Sequence, residues 1–423
     1  MSHRSKSHRV LRNVGLGIFR RLIPDRELTR IALRARPGLR QRALTVGVVF
    51  GLLTVAQLQR GIMAVSTLLR HSWSRVRHRY GLSHLSAPVT RQAFSKRLQS
   101  LPWEIFRDLL SVLLGTLSEL VNPGPALFHG LFTVQAIDRT VIDVAARLIG
   151  IWKGKKGSGL GPGKKAQVGL DTMYDVTLGV PRVVVIEPAR GRELESAHKI
   201  IRKGRYGPRV IYVLDRGYVS FALFRHIVRE DGFFVIRVHR RAKYVRLRYL
   251  GPQDCLVRLG VSLPERQTQV DVRRVGIKEG DETFWYFTNL MPEHGIRPED
   301  VRALYRMRWQ VELFFRTIKC RMNATKFFSF HPNGIRLQIY VALCAHVLVR
   351  TLMAKSADRH QIPLEALSFD KALITVQCWM WERWEHLWTP RPRMRYLIEL
   401  LDLIPLHCLI VRKKKPRRKK RAA

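Results

Sequence analysis

The chain has 423 residues, enough for two or three domains around a large core, and its hydrophobic content of 46% excludes a mainly disordered protein. Charge is the outlier: 76 Lys and Arg against 32 Asp and Glu leave a formal +44, a self-repelling excess best explained by a polyanionic partner, with nucleic acid first and an anionic membrane surface second. The five cysteines (Cys255, Cys320, Cys344, Cys378, Cys408) form no CxxC pair and show no zinc-ligand spacing, which suits a reducing interior.

The N-terminus is basic but lacks the short apolar run and small-residue site of a signal peptide. Residues 1 to 42 are arginine-rich. "ALTVGVVFGLLTVAQL", residues 43 to 58, falls short of the roughly 20 residues that span a bilayer, so a buried helix is expected there. Residues 43 to 120 read as helical, with "TRQAFSKRL" opening one helix. "VNPGPALFHG", residues 121 to 130, is a strong breaker and a domain boundary. No 20 to 50 residue repeat is visible.

The pattern then changes to strands. "LFTVQAID" is an apolar run ending in Asp138. The glycine-rich basic stretch of residues 154 to 165 is not a phosphate-binding P-loop, because Ser158 and Lys165 occupy positions where that motif needs Gly and Ser or Thr. "AQVGLDTMYD", "PRVVVIEPA" and "RVIYVLD" read as strands, the last ending in Asp215. A helix in "YVSFALFRHIVRED" and a strand in "GFFVIRVHR" follow. Residues 241 to 291 hold four short β-branched and aromatic runs, an all-β segment. "RPED" then offers good chemistry for a helix start. Residues 335 to 357 and 363 to 404 read as helices. The tail "RKKKPRRKKR" is too basic to order alone.

The helix "YRMRWQVELFFRTIK", residues 305 to 319, poses the functional question. Tyr305, Arg308, Glu312 and Lys319 are offset by 0, 3, 7 and 14 residues. At about 100° per residue they share one face, within roughly 60° of each other. Met307, Val311, Phe314, Phe315 and Ile318 gather opposite, as a core stripe. A local ion pair with Arg308 or Arg316 is the plain explanation of Glu312. A sharper one joins it to Asp138 and Asp215. In a β-α sheet the C-terminal ends of neighbouring strands share one edge, where sites gather. Three carboxylates there repel unless a cation compensates them, and oxygen ligands without Cys or His select Mg²⁺ or Mn²⁺. Two such ions can activate a water or hydroxyl and stabilise a departing phosphodiester oxygen. Asp143 is a weaker first acid than Asp138. Asp171 and Asp175 read as turn acids, and Asp215 doubles as a helix N-cap. "WMWERWEHLW", residues 379 to 388, reads as helix packing.

Tyr305-x2-Arg308-x3-Glu312-x6-Lys319 matches, without a gap, the YREK signature of insertion-sequence transposases of the insertion sequence 4 type, which the chain resembles over most of residues 40 to 350. Asp215-Arg216-Gly217-Tyr218 resembles that group's second-aspartate motif, and Ile137-Asp138-Arg139-Thr140 its first. The resemblance implies an α+β multidomain chain: a ribonuclease-H-like catalytic core, a β-strand insertion before the Glu helix, a helical N-terminal domain and a helical C-terminal region. The boundaries expected are 1–125 helical DNA-binding region, 126–240 core, 241–291 β insertion, 292–355 Glu-helix part of the core, 356–411 helical region and 412–423 basic tail.

The resemblance also implies a DDE triad of Asp138, Asp215 and Glu312 holding two Mg²⁺ or Mn²⁺ ions, and cleavage and strand transfer of double-stranded DNA at terminal inverted repeats and target. It implies a homodimer in a synaptic complex, DNA contacts by Tyr305, Arg308, Lys319 and Arg216, and no membrane partner, with a cytoplasmic, nucleoid-associated location. Relatives stack a flipped base on a tryptophan of the β insertion; Trp285 lies in that region, though a core role suits it too. Two departures stand out: Arg139 occupies a position where relatives often carry a small residue, crowding the first aspartate, and Lys165-Ala166-Gln167 replaces a Lys-x-His. A DNA-binding protein without catalysis and an RNA-binding protein remain the alternatives, separable by metal-dependent cutting and by nucleic-acid preference.

Overall fold

The computed structural model describes residues 25–39, 44–58, 69, 89–121, 133–154, 165–191, 193–204, 210–260, 269–383 and 394–410. Residues 1–24 of the arginine-rich N-terminus, 59–68 and 70–88 of the stretch read as helical, the breaker at 122–130, the glycine-rich loop at 155–164, residues 384–388 of the tryptophan-rich run and the basic tail lie outside the described residues.

The described parts of residues 43 to 120 are helical, as the sequence suggests, and a further helix precedes them. The helices are α1 (Asp25–Ala35), α2 (Val46–Leu58), α3 (Arg91–Ser100) and α4 (Glu104–Leu120). Every residue of α2 is buried, as its unbroken apolar sequence demands. Thr90 caps α3, its hydroxyl accepting from Ala93 N at 3.1 Å.

Nine strands then form one sheet in the order β3-β2-β1-β4-β5-β9-β8-β7-β6. They are β1 (Thr133–Val144), β2 (Ala166–Asp175), β3 (Val180–Pro188), β4 (Val210–Leu214), β5 (Phe233–Val238), β6 (Val245–Gly251), β7 (Asp254–Leu259), β8 (Val270–Glu279) and β9 (Glu282–Thr288). β1, β4 and β5 are parallel, and every other neighbour pair is antiparallel. The four β-rich runs of residues 241 to 291 therefore extend the same sheet.

Alternation along the central strands sorts the core into two layers. Val134, Ala136, Ile211, Val213 and Val235 face the larger core, built with α2, α4 and the C-terminal helices. Ile137, Tyr212, Leu214, Phe234 and Ile236 face the smaller one, under α5 (Glu193–Gly204) and α6 (Phe221–Arg229). The sequence reading passed over α5, whose acidic first turn and basic last turn suit a helix.

Asp138 does not end its strand, as the apolar run suggested. β1 runs on to Val144 because β2 stays paired with it through Val144↔Ala166. Only the parallel partner stops: the β1–β4 ladder ends at Ile137↔Leu214. Asp138 and Asp215 are thus the residues directly beyond the last β1–β4 pair. Asp171 likewise sits inside β2 rather than in a turn. Asp175 does hold the β2–β3 turn, accepting from Leu178 N at 2.8 Å. That turn needs Gly179 at φ 69°, with the Arg350 guanidinium packed where a side chain would stand.

The outer strands are tied to the next helix through Arg273, which is 1% exposed. It donates to both Asp254 carboxylate oxygens and to the Ile296 carbonyl at 2.8 Å. α7 (Pro298–Met307) starts there, with Asp300 accepting from Arg297 N at 2.9 Å. The helix expected through residue 319 is present but irregular, its backbone staying helical through Arg308. A tight turn at Arg308 separates α7 from α8 (Trp309–Arg316), and a π-turn follows over Thr317–Arg321. Arg308 N bonds Tyr305 O three residues back, whereas Met322 N reaches Thr317 O five residues back. Such departures from the α pattern often mark functional positions.

α9 (Pro332–Arg359), α10 (Phe369–Glu382) and α11 (Met394–Cys408) complete the larger core. Among the described residues α9 is the one helix long and apolar enough to cross a membrane, and its apolar window is wholly buried in the fold. Within α9, His346 stacks on Phe369 at 4.3 Å, with Phe314 edge-on at 4.9 Å. Its Nδ1 is buried without a partner among the described residues. Burial drives its pKa down to about 3, Arg350 adding to the effect. His346 is therefore neutral when folded and protonates once unfolded. The stability this preserves is complete above the ordinary histidine pKa and is lost as pH falls from there towards 3, at up to about 1.4 kcal/mol per pH unit. Urea denaturation at pH 7.5 and pH 5 should show a larger acid loss for the natural protein than for His346→Phe.

Candidate active site

Three acids from distant parts of the chain come together on the larger-core face of the sheet. Asp138 shares that face of β1 with Ala136 and Thr140. Asp215 directly follows β4. Glu312 lies on α8, whose opposite face buries Val311, Phe314 and Phe315. The side chain of Asp215 makes no capping bond to the short turn at Arg216–Tyr218, and Ser220 caps α6 instead. Its carboxylate is thus left to the site, as the accessible faces of Asp138 and Glu312 also are.

One guanidinium joins them. Arg308 Nη1 donates to Asp138 Oδ2 at 3.2 Å, and Nη2 to Glu312 Oε1 at 2.5 Å. Tyr305 OH donates to Asp215 Oδ1 at 3.3 Å. Burial raises the Asp138 pKa to about 6, with Asp215 and Glu312 pushing the same way, against the Arg139 backbone N–H and Arg308. Both other carboxylates therefore lie close enough to be felt by the first. The Arg308 pKa is raised: burial opposes the charge, but the Glu312 hydrogen bond and the nearby Tyr305 and Asp215 outweigh it.

Lys319 Nζ donates to Thr140 Oγ1 at 2.9 Å, which anchors the π-turn to β1 two residues beyond Asp138. Burial lowers its pKa. Thr140 escaped the sequence reading, although the period of two along a strand puts it on the face of Asp138. Asp143 is engaged elsewhere, accepting from Gln167 Nε2 at 2.7 Å.

Arg139 does not crowd the aspartate beside it. Its side chain points to the opposite face, where it is 1% exposed and forms a two-pronged pair with Asp171 at 2.6 and 2.7 Å. It also donates to Gly191 O and Ser196 Oγ. The Arg139 backbone N–H, at 2.8 Å, fixes Asp138 Oδ1.

Arg216 and Trp285 sit in an adjoining cleft of ≈ 770 Å³, also lined by Arg237, Arg240, Arg241 and Arg274. One face of Trp285 is packed on Gly276, where a Cβ would meet the ring at 2.6 Å. Over the indole ring lies the Arg274 guanidinium, 3.4 Å from the ring centroid. Arg274 also covers Tyr244 at 4.7 Å. A cation thus already covers this face of the indole.

The donor set suits a hard divalent cation: carboxylate oxygens, with no sulfur or imidazole alongside. Among the described residues no three acidic, imidazole or thiol side chains are close enough together to hold an ion as they stand. A positive side chain, Arg308, has the central place.

Comparison with known proteins agrees with this chemistry. The family described as the transposase DDE domain matches residues 129–348, just over half of the chain. A protein of Sinorhizobium fredii that carries a transposase name is 28% identical over 276 residues, covering 62% of this chain and 71% of its own. The Synechocystis protein named as a transposase for insertion sequence element IS4SA is 22% identical over 270 residues, or 63% and 72% of the two chains. A solved structure, the piggyBac transposase synaptic complex with hairpin DNA, gives a TM-score of 0.43 at 12% identity, covering 92% of this chain and 84% of that one. That last likeness is too distant to carry an argument.

Proposed function

The chain belongs to the transposase DDE-domain family, in the insertion sequence 4 group, and from that premise we propose that Asp138, Asp215 and Glu312 are the acids with which it cuts and joins DNA. It is an insertion-sequence transposase, an enzyme of DNA cleavage and strand transfer that depends on divalent metal. The observation that carries the residue assignment is the bridge of Arg308 between Asp138 and Glu312, with Asp215 held beside them by Tyr305. Bound at these carboxylates, two Mg²⁺ or Mn²⁺ ions would supply an activated water or hydroxyl and stabilise the departing oxygen.

The protein's own groups do the rest. Lys319, braced by Thr140, and Arg308, once drawn from the acids, take phosphate oxygens at the cut. Tyr305 orients Asp215. Arg216 and the other cations of the adjoining cleft track the DNA backbone and set register rather than sequence. Trp285 takes a flipped base only if Arg274 yields its place, which a phosphate in the cleft would encourage.

The strand order β3-β2-β1-β4-β5 supports a ribonuclease-H-like core over residues 126–240 and 292–355, with 241–291 as its β insertion. Residues 1–125 and 356–411 are the helical DNA-binding and C-terminal regions in this reading, and 412–423 the basic tail. The partners are the element's inverted repeats and target DNA, held by a homodimer in the cytoplasm at the nucleoid. The competing idea of a non-catalytic descendant rested on Arg139, whose side chain turns away to Asp171.

The test is nicking of a duplex that ends in the element's inverted repeat. Cleavage should appear with Mg²⁺ or Mn²⁺, vanish with EDTA and return when excess ion is added. Cutting that persists in EDTA after exhaustive dialysis overturns the assignment of the acids as ion ligands.

A further inference from the structure

Resting on the reading that Asp138, Asp215 and Glu312 take hard divalent ions, we propose that Arg308 is the resident counter-cation of the ion-free protein and that an arriving ion must displace it. The guanidinium spans the acids, with Nη1 on Asp138 at 3.2 Å and Nη2 on Glu312 at 2.5 Å. To do so it leaves its own Nε buried with no partner among the described residues. An arginine placed for its own hydrogen bonds would not forfeit one of them. The carboxylates hold it there.

The backbone is arranged for this reach. Arg308 sits at the tightened turn between α7 and α8, where its backbone stays helical, so Glu312 one turn later lies on its face while Asp138 is reached across from β1. Tyr305, one turn earlier, lies 5.9 Å from the guanidinium and keeps Asp215 in the group. A divalent ion and a guanidinium repel each other and compete for the lone pairs of Asp138 Oδ2 and Glu312 Oε1. A divalent ion therefore takes those two oxygens only as Arg308 leaves them. The freed arginine has an obvious destination in a DNA phosphate.

Two consequences follow by linkage. Whatever draws Arg308 off the acids, a DNA phosphate included, strengthens ion binding. Ion binding strengthens the phosphate contact by the same factor. The acid cluster is closed by its own arginine until substrate and metal arrive together.

The opposite role, a fixed brace that shapes the acids for the ion, predicts the opposite sign. Full-length protein stripped with chelator would be titrated with Mn²⁺, following free ion by electron paramagnetic resonance, and melted with and without Mn²⁺. Arg308→Met should melt lower than the natural protein when ion-free, because three acids then repel each other uncompensated. It should bind Mn²⁺ about tenfold more tightly and gain more in melting temperature from it. A folded Arg308→Met variant with equal or weaker Mn²⁺ binding overturns the proposal. Should that variant fail to fold, Arg308→Lys, which keeps the charge but cannot bridge both acids, should bind Mn²⁺ more tightly than the natural protein; equal or weaker binding is fatal there too. Glu312→Gln separates the displacement from the acid assignment beneath it. It should lose the ion in either case, and retention would sink both together.

Discussion

Glu312→Gln should abolish strand cleavage while leaving a folded protein that still binds DNA. The change removes one charge and almost no volume. The face of α8 that supports the fold is the other one, where Val311, Phe314 and Phe315 are buried. Glu312 itself is about one-third exposed and bonds to Arg308. A loss of about 10³-fold in the nicking rate is expected, the upper end of what one preorganised charge-stabilising group contributes in an active site. Binding of the inverted-repeat duplex, read by gel shift, should change little or rise, since Arg308 loses a competing partner. Asp138→Asn and Asp215→Asn should behave alike in cleavage. A Glu312→Gln enzyme that nicks at the natural rate in Mg²⁺ would take this residue out of the chemistry.

Arg139→Leu has the largest expected effect on stability. The pair with Asp171 is buried on both sides, at 1% and 2% exposure. Taking away the arginine strands a carboxylate inside the fold, and the Gly191 carbonyl and Ser196 hydroxyl lose their donor as well. Breaking a buried pair from one side typically costs about 3–5 kcal/mol. Replacing both partners removes the stranded charge, so Arg139→Leu with Asp171→Leu should recover much of the loss in urea denaturation. A single variant as stable as the natural protein would show that the pair contributes no net stability. Cleavage should fall with stability rather than independently of it, since Arg139 touches Asp138 only through its backbone.

The candidate residues were readable in sequence because local patterns single them out, and the fold does bring Asp138, Asp215 and Glu312 around Arg308 and Tyr305. The apolar runs located Asp138 and Asp215, though only the β1–β4 ladder stops there, and the spacing of Tyr305, Arg308, Glu312 and Lys319 singled them out, though a π-turn carries Lys319. The strands of residues 241 to 291 were legible from β-branched and aromatic runs. What stayed hidden depended on partners far away in sequence. The extent of β1 beyond Asp138 is decided by β2, which continues to pair after β4 has stopped. The tightened turn at Arg308 lies in a segment that has no Pro or Gly to announce it; of the acids it meets, Glu312 is one turn away but Asp138 is 170 residues distant. Arg139 looked like an obstacle because its partner, Asp171, is 32 residues away. The covering of Trp285 by Arg274 needed the β8–β9 register to be seen.

The continuity of the nine-stranded sheet has a mechanical consequence. β6 is the outermost strand and most of it is exposed. Each strand between it and β1 is laced to the next by main-chain hydrogen bonds, so the rim and Asp138 belong to one continuous ladder. Torque exerted on the rim, as by a stiff rod lying across β6 and β7, is borne by the ladder and felt at Asp138. The blade and the handle of this tool are forged in one piece.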